Sequence, residues 1–363
     1  MRILIVGATY MDNFGDMLFA KMILEKFSKS WPDIEKRFYL TSDYCKHFVG
    51  SQNLNDFDTK GADALIYMPG GYLGDRSDTS LYTTYLWFKR YFPIGLHYVK
   101  KHKPVLILAV DAGPCKYWFM RKIIHRVCKG TTRIIVRNEE SKDFLVDRIN
   151  IYGNNIVVTS DYAQTIIDYP IKEHAAIEEW KSPNKRRILL HINECAEARK
   201  VIIPALRQFY LENADKYEIV VASDQHCSND GETFDEIKRF AGDNAYYYKY
   251  GENPLELCSV IKSCDCVITY KLHVGIVAAA YAKSVIPIPQ HYKKVQKYYN
   301  QIGCGERVLP LKDATIIEVY NRISKYIDEP IMLTEAIYEK AHKNNVYLDD
   351  FISKLQGRQT DEK

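Results

Sequence analysis

Short apolar runs rich in β-branched residues recur along this chain without the apolar–polar alternation of a half-exposed strand. Ile3-Leu4-Ile5-Val6, Ala64-Leu65-Ile66-Tyr67-Met68, Ile134-Ile135-Val136, Ile219-Val220-Val221-Ala222 and Cys266-Val267-Ile268-Thr269-Tyr270 are examples. A strand that is apolar on both sides has to be covered on both faces, and a parallel sheet with helices above and below does this. The stretches between the runs suit such helices. Met17, Leu18, Met22, Ile23 and Phe27 fall on one broad helical face, and residues 274–282 are mostly small and apolar. The expected class is therefore α/β, in doubly wound parallel sheets.

The series is interrupted once. Residues 167–185 are polar, contain two prolines and show no strong pattern, and strands resume at Arg187-Ile188-Leu189-Leu190-His191-Ile192. A chain of 363 residues has room for two domains. We expect a Rossmann-like domain over residues 1–170, a second over 185–310, and C-terminal helices with a charged tail over 311–363. The polar segments follow strands, so they collect at the carboxyl edges, where open α/β sheets bind ligands. In a facing pair of domains these edges line one cleft.

Several classes are disfavoured. A formal net charge of +4 is too small to argue for nucleic acid. Nine scattered cysteines without a paired CxxC read as reduced thiols, with no metal site. No signal peptide is visible and no run reaches the ~18 apolar residues of a membrane span, so a cytoplasmic protein is expected. The Gly7 to Gly15 spacing is not GxGxxG, which argues against a nicotinamide cofactor.

The polar segments carry the chemistry. Asn13-Phe14-Gly15-Asp16 opens the first helix, and Pro69-Gly70-Gly71-Tyr72-Leu73-Gly74-Asp75 reads as a glycine-rich loop that a ligand can approach closely. Arg137-Asn138-Glu139-Glu140-Ser141 and Ser160-Asp161 follow two further strands. Lys271-Leu272-His273 ends the run at 266–270, and His291, Tyr292, Lys293 and Lys294 lie beyond the next one. In this order the motifs resemble those of the polysaccharide pyruvyltransferase family, over nearly the whole chain from Met1 to about Gly303.

The resemblance implies a GT-B-like fold, two Rossmann-like domains facing across a cleft. It also implies transfer of pyruvate from phosphoenolpyruvate (PEP) to two hydroxyls of a sugar in a surface polysaccharide or its precursor, giving a cyclic ketal. By that likeness Arg137, His273 and Lys293 hold PEP and assist its reaction, and Lys271 and Leu272 belong to the same donor site. Asn13, Gly70, Gly71 and Asp75 are assigned to the acceptor or its loops. PEP is a co-substrate, and no cofactor or metal is expected. The family commonly reads Arg-Leu-His where this chain has Lys271-Leu272-His273, which keeps the charge but loses the planar fork.

These residue types suit the reaction. A phosphate and a carboxylate call for at least two cations, and the enol ether needs a proton delivered to its terminal carbon. His273 is the candidate for that proton, with Asp16 and Asp161 as carboxylates for the developing oxocarbenium. Each signal has a plainer reading. Arg137 fits a structural ion pair, His273 a helix cap, Lys293 and Lys294 a solvated face, and Asn13 and Asp16 the capping of the first helix. Their joint occurrence favours the site. His191, His226 and Asp230 read mainly as loop polars.

The competing functions are a nucleotide-sugar glycosyltransferase of similar architecture and a non-catalytic glycan-binding relative. Residues 81–92 and 116–129 interleave aromatic and basic side chains. The plainer reading is buried amphipathic helices with solvated basic edges. The other is peripheral contact with the inner membrane face and a lipid-linked acceptor, to which Trp87, Phe88 and Trp118 would contribute. Homo-oligomerisation is left open.

Overall fold

The computed structural model describes residues 1–10, 12–74, 80–153, 155–180, 184–225, 230–251 and 253–361. The chain divides into two compact units. The first comprises Met1–Asp12, Asp16–Tyr162 and Ala336–Lys363, and the second Asn13–Gly15 and Ala163–Glu335.

The first unit is built on a seven-stranded sheet. Its strands are β1 (Arg2–Val6), β2 (Glu35–Tyr39), β3 (Ala64–Tyr67), β4 (Gly70–Leu73), β5 (Val105–Ala112), β6 (Arg133–Val136) and β7 (Ile156–Val158). They run in the order β2-β1-β3-β5-β6-β7, with β4 beside β5, and every pairing is parallel. Helices α1 (Phe14–Ser30), α2 (Asp43–Val49), α3 (Leu81–Lys100), α4 (Trp118–Lys129) and α5 (Glu139–Asp147) connect them. β3 and β5 are buried along their whole length, as unalternating apolar runs require.

The glycine-rich segment departs from the expected loop. Gly70–Leu73 is itself a strand, with Gly70 opposite Val110 and Leu73 opposite Ala112. β5 is long enough to pair with β3 through its first half and with β4 through its second. Ala109, in the left-handed region at φ 49°, lies at the changeover. Pro69 has no N–H to continue the ladder, so the chain breaks after β3 and resumes as β4.

The second unit holds a five-stranded parallel sheet. It contains β8 (Arg186–His191), β9 (Tyr217–Ala222), β10 (Ala245–Tyr248), β11 (Cys266–Thr269) and β12 (Ser284–Pro287), in the order β10-β9-β8-β11-β12. Helices α6 (Ala175–Glu179), α7 (Ala196–Glu212), α8 (Gly231–Ala241), α9 (Pro254–Ser263), α10 (Leu272–Ala280), α11 (Tyr292–Gln301) and α12 (Ile316–Tyr326) complete it. Strand order reverses between the neighbours β8 and β11. This is the topological switch point, where the connections leave to opposite sides and a crevice opens beyond the carboxyl ends.

The last helix, α13 (Glu335–Asp361), returns to the first unit. Its buried Asn344 donates to the Ser160 carbonyl at 3.0 Å and accepts from Thr159 Oγ1 at 2.7 Å, fastening the helix to the end of β7. In α3 the aromatic residues divide. Tyr91, Phe92 and Tyr98 are buried, and Trp87 and Phe88 pack against the core, with Trp87 Nε1 donating to the Tyr72 carbonyl at 3.3 Å. Trp87 and Phe88 are therefore half-buried against the core, and of the three expected aromatic residues Trp118 is the exposed one. Among the described residues no helix is long and apolar enough to cross a membrane.

The α13 contact yields a stability prediction. Asn344→Ala leaves Thr159 Oγ1 and the Ser160 carbonyl without these partners in a buried setting. We expect a loss of about 1–3 kcal/mol, read as a lower denaturant midpoint with unchanged slope.

Candidate functional site

The switch point of the second unit carries a dense polar cluster. His191 ends β8 and Thr269 ends β11, and His191 Nδ1 is hydrogen-bonded to Thr269 Oγ1 at 2.9 Å across the reversal. The imidazole is fully buried, its Nε2 lies 3.4 Å from Asp224 Oδ1, and its ring packs at 5.7 Å against that of Tyr270. Asp224 follows β9 and is also buried. Asn193 Nδ2 donates to its Oδ1 at 2.6 Å, and the Asp224 N–H returns a bond to Asn193 Oδ1 at 3.3 Å. Asn193 holds this position in the left-handed region, φ 45°, which Asn tolerates better than most side chains.

Lys271 reaches the same carboxylate. Its Nζ is 3.9 Å from Asp224 Oδ1 and 5.3 Å from the Tyr270 ring centroid. Burial on its own raises the Asp224 pKa. The charges of His191 and Lys271, with the hydrogen bond from Asn193, outweigh it and hold the carboxyl well below the usual range. Lys271 is also the N-cap of α10, where its backbone N–H donates to Thr269 Oγ1 at 3.1 Å and its side chain makes no capping bond. No acidic residue occupies the first turn of that helix. Leu272 and His273 are its first two residues, so the positive end of α10 opens at the switch point.

His273 is seated on a glycine. A β-carbon built at Gly15 would lie 1.9 Å from His273 Nδ1 and 2.4 Å from Cγ. Only glycine lets the imidazole rest on the backbone there. Gly15 belongs to the Asn13–Gly15 segment grouped with the second unit, and the Phe14 ring is set edge-on to Tyr250 at 6.3 Å. The fold thus brings together two motifs more than 250 residues apart in the chain. Asp16, the next residue, is half-buried in the first turn of α1. Lys293 is exposed in the first turn of α11, after β12, the strand beside β11.

A second cluster belongs to the first unit. The Arg137 guanidinium, beyond β6, lies between two buried carboxylates, at 3.1 Å from Asp111 Oδ2 and 2.9 Å from Asp161 Oδ2. Ser141 Oγ donates to Asp111 Oδ1 at 2.9 Å, and Asn138 Nδ2 does so at 3.2 Å. Asn138 also caps α5 by accepting from the Ser141 N–H at 2.8 Å. Burial alone lowers the Arg137 pKa, but Asp111 and then Asp161 raise it more, so the net movement is upward. The plainer reading, a structural ion pair, describes the observed geometry of Arg137. Lys271, His273 and Lys293 lie in the other unit.

Of the remaining expected site residues, Asn13 is half-buried in the turn that carries Gly15, and Gly70 and Gly71 lie within β4. Asp75 and His226 lie outside the described residues. Sequence reasoning missed Asp111, Asn193, Asp224 and Thr269. Two of them carried a faint signal. Asp111 interrupts the end of an apolar run, and Asp224 stands two residues beyond another.

The family model for polysaccharide pyruvyl transferase matches residues 13–292, from the Asn13 turn to the start of α11. The chain belongs to the polysaccharide pyruvyl transferase family. Membership makes it a transferase by class. No curated protein matches it in sequence. In three dimensions it is similar to the UDP-GlcNAc 2-epimerase of Methanocaldococcus jannaschii, with TM-score 0.63 and 13% identity over 96% of this chain and 99% of that one. The S. aureus MnaA–UDP co-structure gives 0.62 at 12% over 98% and 97%. The Neisseria meningitidis UDP-GlcNAc 2-epimerase bound to UDP-GlcNAc gives 0.60 at 12% over 97% and 100%. At such identities the likeness shows the fold, which is GT-B-like with two Rossmann-like units.

The two clusters predict different responses. Arg137→Met strands two buried carboxylates, and we expect it to destabilise the fold by about 3–5 kcal/mol in urea or thermal unfolding, whatever it does to activity. Asp224 has a depressed folded pKa, so its charged form stabilises the chain above the unfolded-state value of about 4. That stabilisation is lost as pH falls through the folded value. Asp224→Asn should accordingly be less stable than the parent at pH 7, with the gap narrowing on acidification below about pH 4.

Proposed function

We propose that this transferase moves pyruvate from PEP to two hydroxyls of a saccharide in a surface polysaccharide or its precursor, closing a cyclic ketal. The observation that carries the reading is the opening of α10 at the switch point of the second sheet, with Lys271 and His273 on its uncapped first turn. An anion placed there meets backbone N–H groups, the helix dipole and the Lys271 ammonium. Lys293, on the neighbouring carboxyl end, supplies the second cation that a phosphate-plus-carboxylate donor needs.

In this proposal His273 protonates the terminal carbon of the enol phosphate. The oxocarbenium formed at the adjacent carbon is attacked by one sugar hydroxyl, whose proton returns to His273. A second hydroxyl then replaces the phosphate, which takes that hydroxyl's proton and leaves as inorganic phosphate. The Gly15 backbone fixes the imidazole, and Asp16, next in the chain, is the carboxylate proposed to stabilise the cation. Arg137 and Asp161 are assigned to positioning, since donor binding through Arg137 would take it from two buried partners. Asn13 stays with the acceptor.

The test is product chemistry in D₂O with PEP and a saccharide acceptor screen. We expect a ketal methyl carrying one deuterium, one phosphate released per ketal, and no nucleotide. His273→Ala should fold and lose about 10²–10⁴-fold in turnover. Gly15→Ala should have a similar effect, because its new methyl displaces the side chain of His273 rather than any backbone. Product formed without PEP, stabilisation by UDP but not by PEP in thermal shift, or full turnover in His273→Ala would refute the reading.

A further inference from the structure

Residues 80–130 contain ten Lys and Arg and one acidic residue, Asp111, in a chain whose net charge is only +4. Asp111 is buried against Arg137, so it does not offset this surface. The rest of the chain is net negative by difference. The cationic excess is therefore local, and seven of the ten cations lie on α3 and α4.

These two helices lie side by side and run the same way. Each follows a parallel strand and leads back to the next, and Gly130, the C-cap of α4, packs against Val99 near the end of α3. Their N-terminal ends therefore sit together at the carboxyl edge of the sheet. The outward residues of α4 are Trp118, Lys122, Arg126 and Lys129, one helical stripe with an aromatic residue at its head. On α3 the corresponding stripe is Tyr82, Tyr85 and Lys89. Tyr82 is 69% exposed and Trp118 62%. Lys122 Nζ stands 4.7 Å from the Trp118 ring centroid and Lys89 Nζ 5.4 Å from that of Tyr85, so two of the three exposed rings have a cation beside them. Among the described residues no salt bridge engages Lys89, Lys122 or Arg126.

We propose that the paired stripes of α3 and α4 seat the protein on an anionic lipid surface. Aromatic rings at one end and cations along the flank match the headgroup zone of a bilayer, where amphipathic rings settle among headgroups and ammonium and guanidinium groups meet lipid phosphates. A nucleic acid or another flexible polyanion would be held by the cations alone, with strong salt dependence and little use for the exposed Leu81, Tyr82 and Trp118. The aromatic heads of the stripes favour lipid.

The experiment is flotation of the whole protein with vesicles of phosphatidylcholine alone or with 30 mol% phosphatidylglycerol, at about 50–500 mM NaCl. Binding is expected only to the anionic vesicles. Lys89→Glu/Lys122→Glu/Arg126→Glu should lower it at least about tenfold, on a scale of about fivefold for each cation near such a surface. Tyr82→Ser/Tyr85→Ser/Trp118→Ser alters only exposed rings. It should keep the melting temperature, bind weakly at low salt and lose the binding that the parent retains at high salt. No flotation with anionic vesicles at low salt would overturn the proposal. So would equal flotation of the charge-reversed variant. Binding of a short DNA duplex as tight as that of vesicles, with the aromatic triple variant indifferent to both, would reassign the surface to polyanions.

Discussion

A strand buried on both faces leaves a charged side chain nowhere to go except near its ends. β3, β5, β9 and β11 are buried along their whole length. An unpaired ionised group within them would cost several kcal/mol. Asp111 is the last but one residue of β5, Arg137 stands just beyond β6, and Asp224 and Lys271 lie two residues past β9 and β11. Charge is thus confined to the strand ends: Arg187 and Glu218 pair at the amino side, and the two polar clusters stand at the carboxyl edges. The switch point then decides which part of an edge can open to a ligand, since only there do the flanking helices part.

The two edges balance charge in opposite senses. In the first unit one guanidinium serves two carboxylates, so the cluster is closed and carries excess negative charge. Anions are repelled from such a centre, and its hydrogen bonds to Ser141 and Asn138 tie the ends of β5 and β6 to α5. In the second unit one carboxylate serves an amide, an imidazole and an ammonium, and the positive end of α10 adds to the cationic side. This difference of sign is what the proposal of an anionic donor at the second edge rests on.

What could be read from the sequence follows the same division. Runs that are apolar throughout gave away the central strands, because burial on both faces leaves no other composition. Two edge strands, β2 and β10, were illegible. β2 reads Glu35-Lys36-Arg37-Phe38-Tyr39, with the charges that keep an exposed edge from pairing with another chain, and β10 is mostly tyrosine. β4 hid behind Pro69 as an apparent loop. At the site, Lys271-Leu272-His273 was legible because its residues are contiguous and follow a strand. Arg137 was visible, but its two aspartates were not. Asp111 and Asp161 lie on other strands or loops, and only the order of strands in the sheet brings them beside it. Gly15 drew notice as part of a motif, while its reason, the imidazole laid against it, exists only in the folded chain.

Lysine at position 271, where the family commonly has arginine, takes on meaning from its neighbour. An arginine beside a buried aspartate tends to form short, directed bonds, as Arg137 does with Asp161 at 2.9 Å. A fork at 271 could close on Asp224 in the same way and surrender its charge to the carboxylate. The Lys271 ammonium stands 3.9 Å from Asp224, beyond hydrogen-bond length, and among the described residues no hydrogen bond engages its Nζ. It is steered by the carboxylate without being captured. Its N–H donors are thus not committed to the carboxylate. The Lys271 ammonium stands at the N-terminal end of α10 beside Asp224, which His191 and Asn193 hold in place.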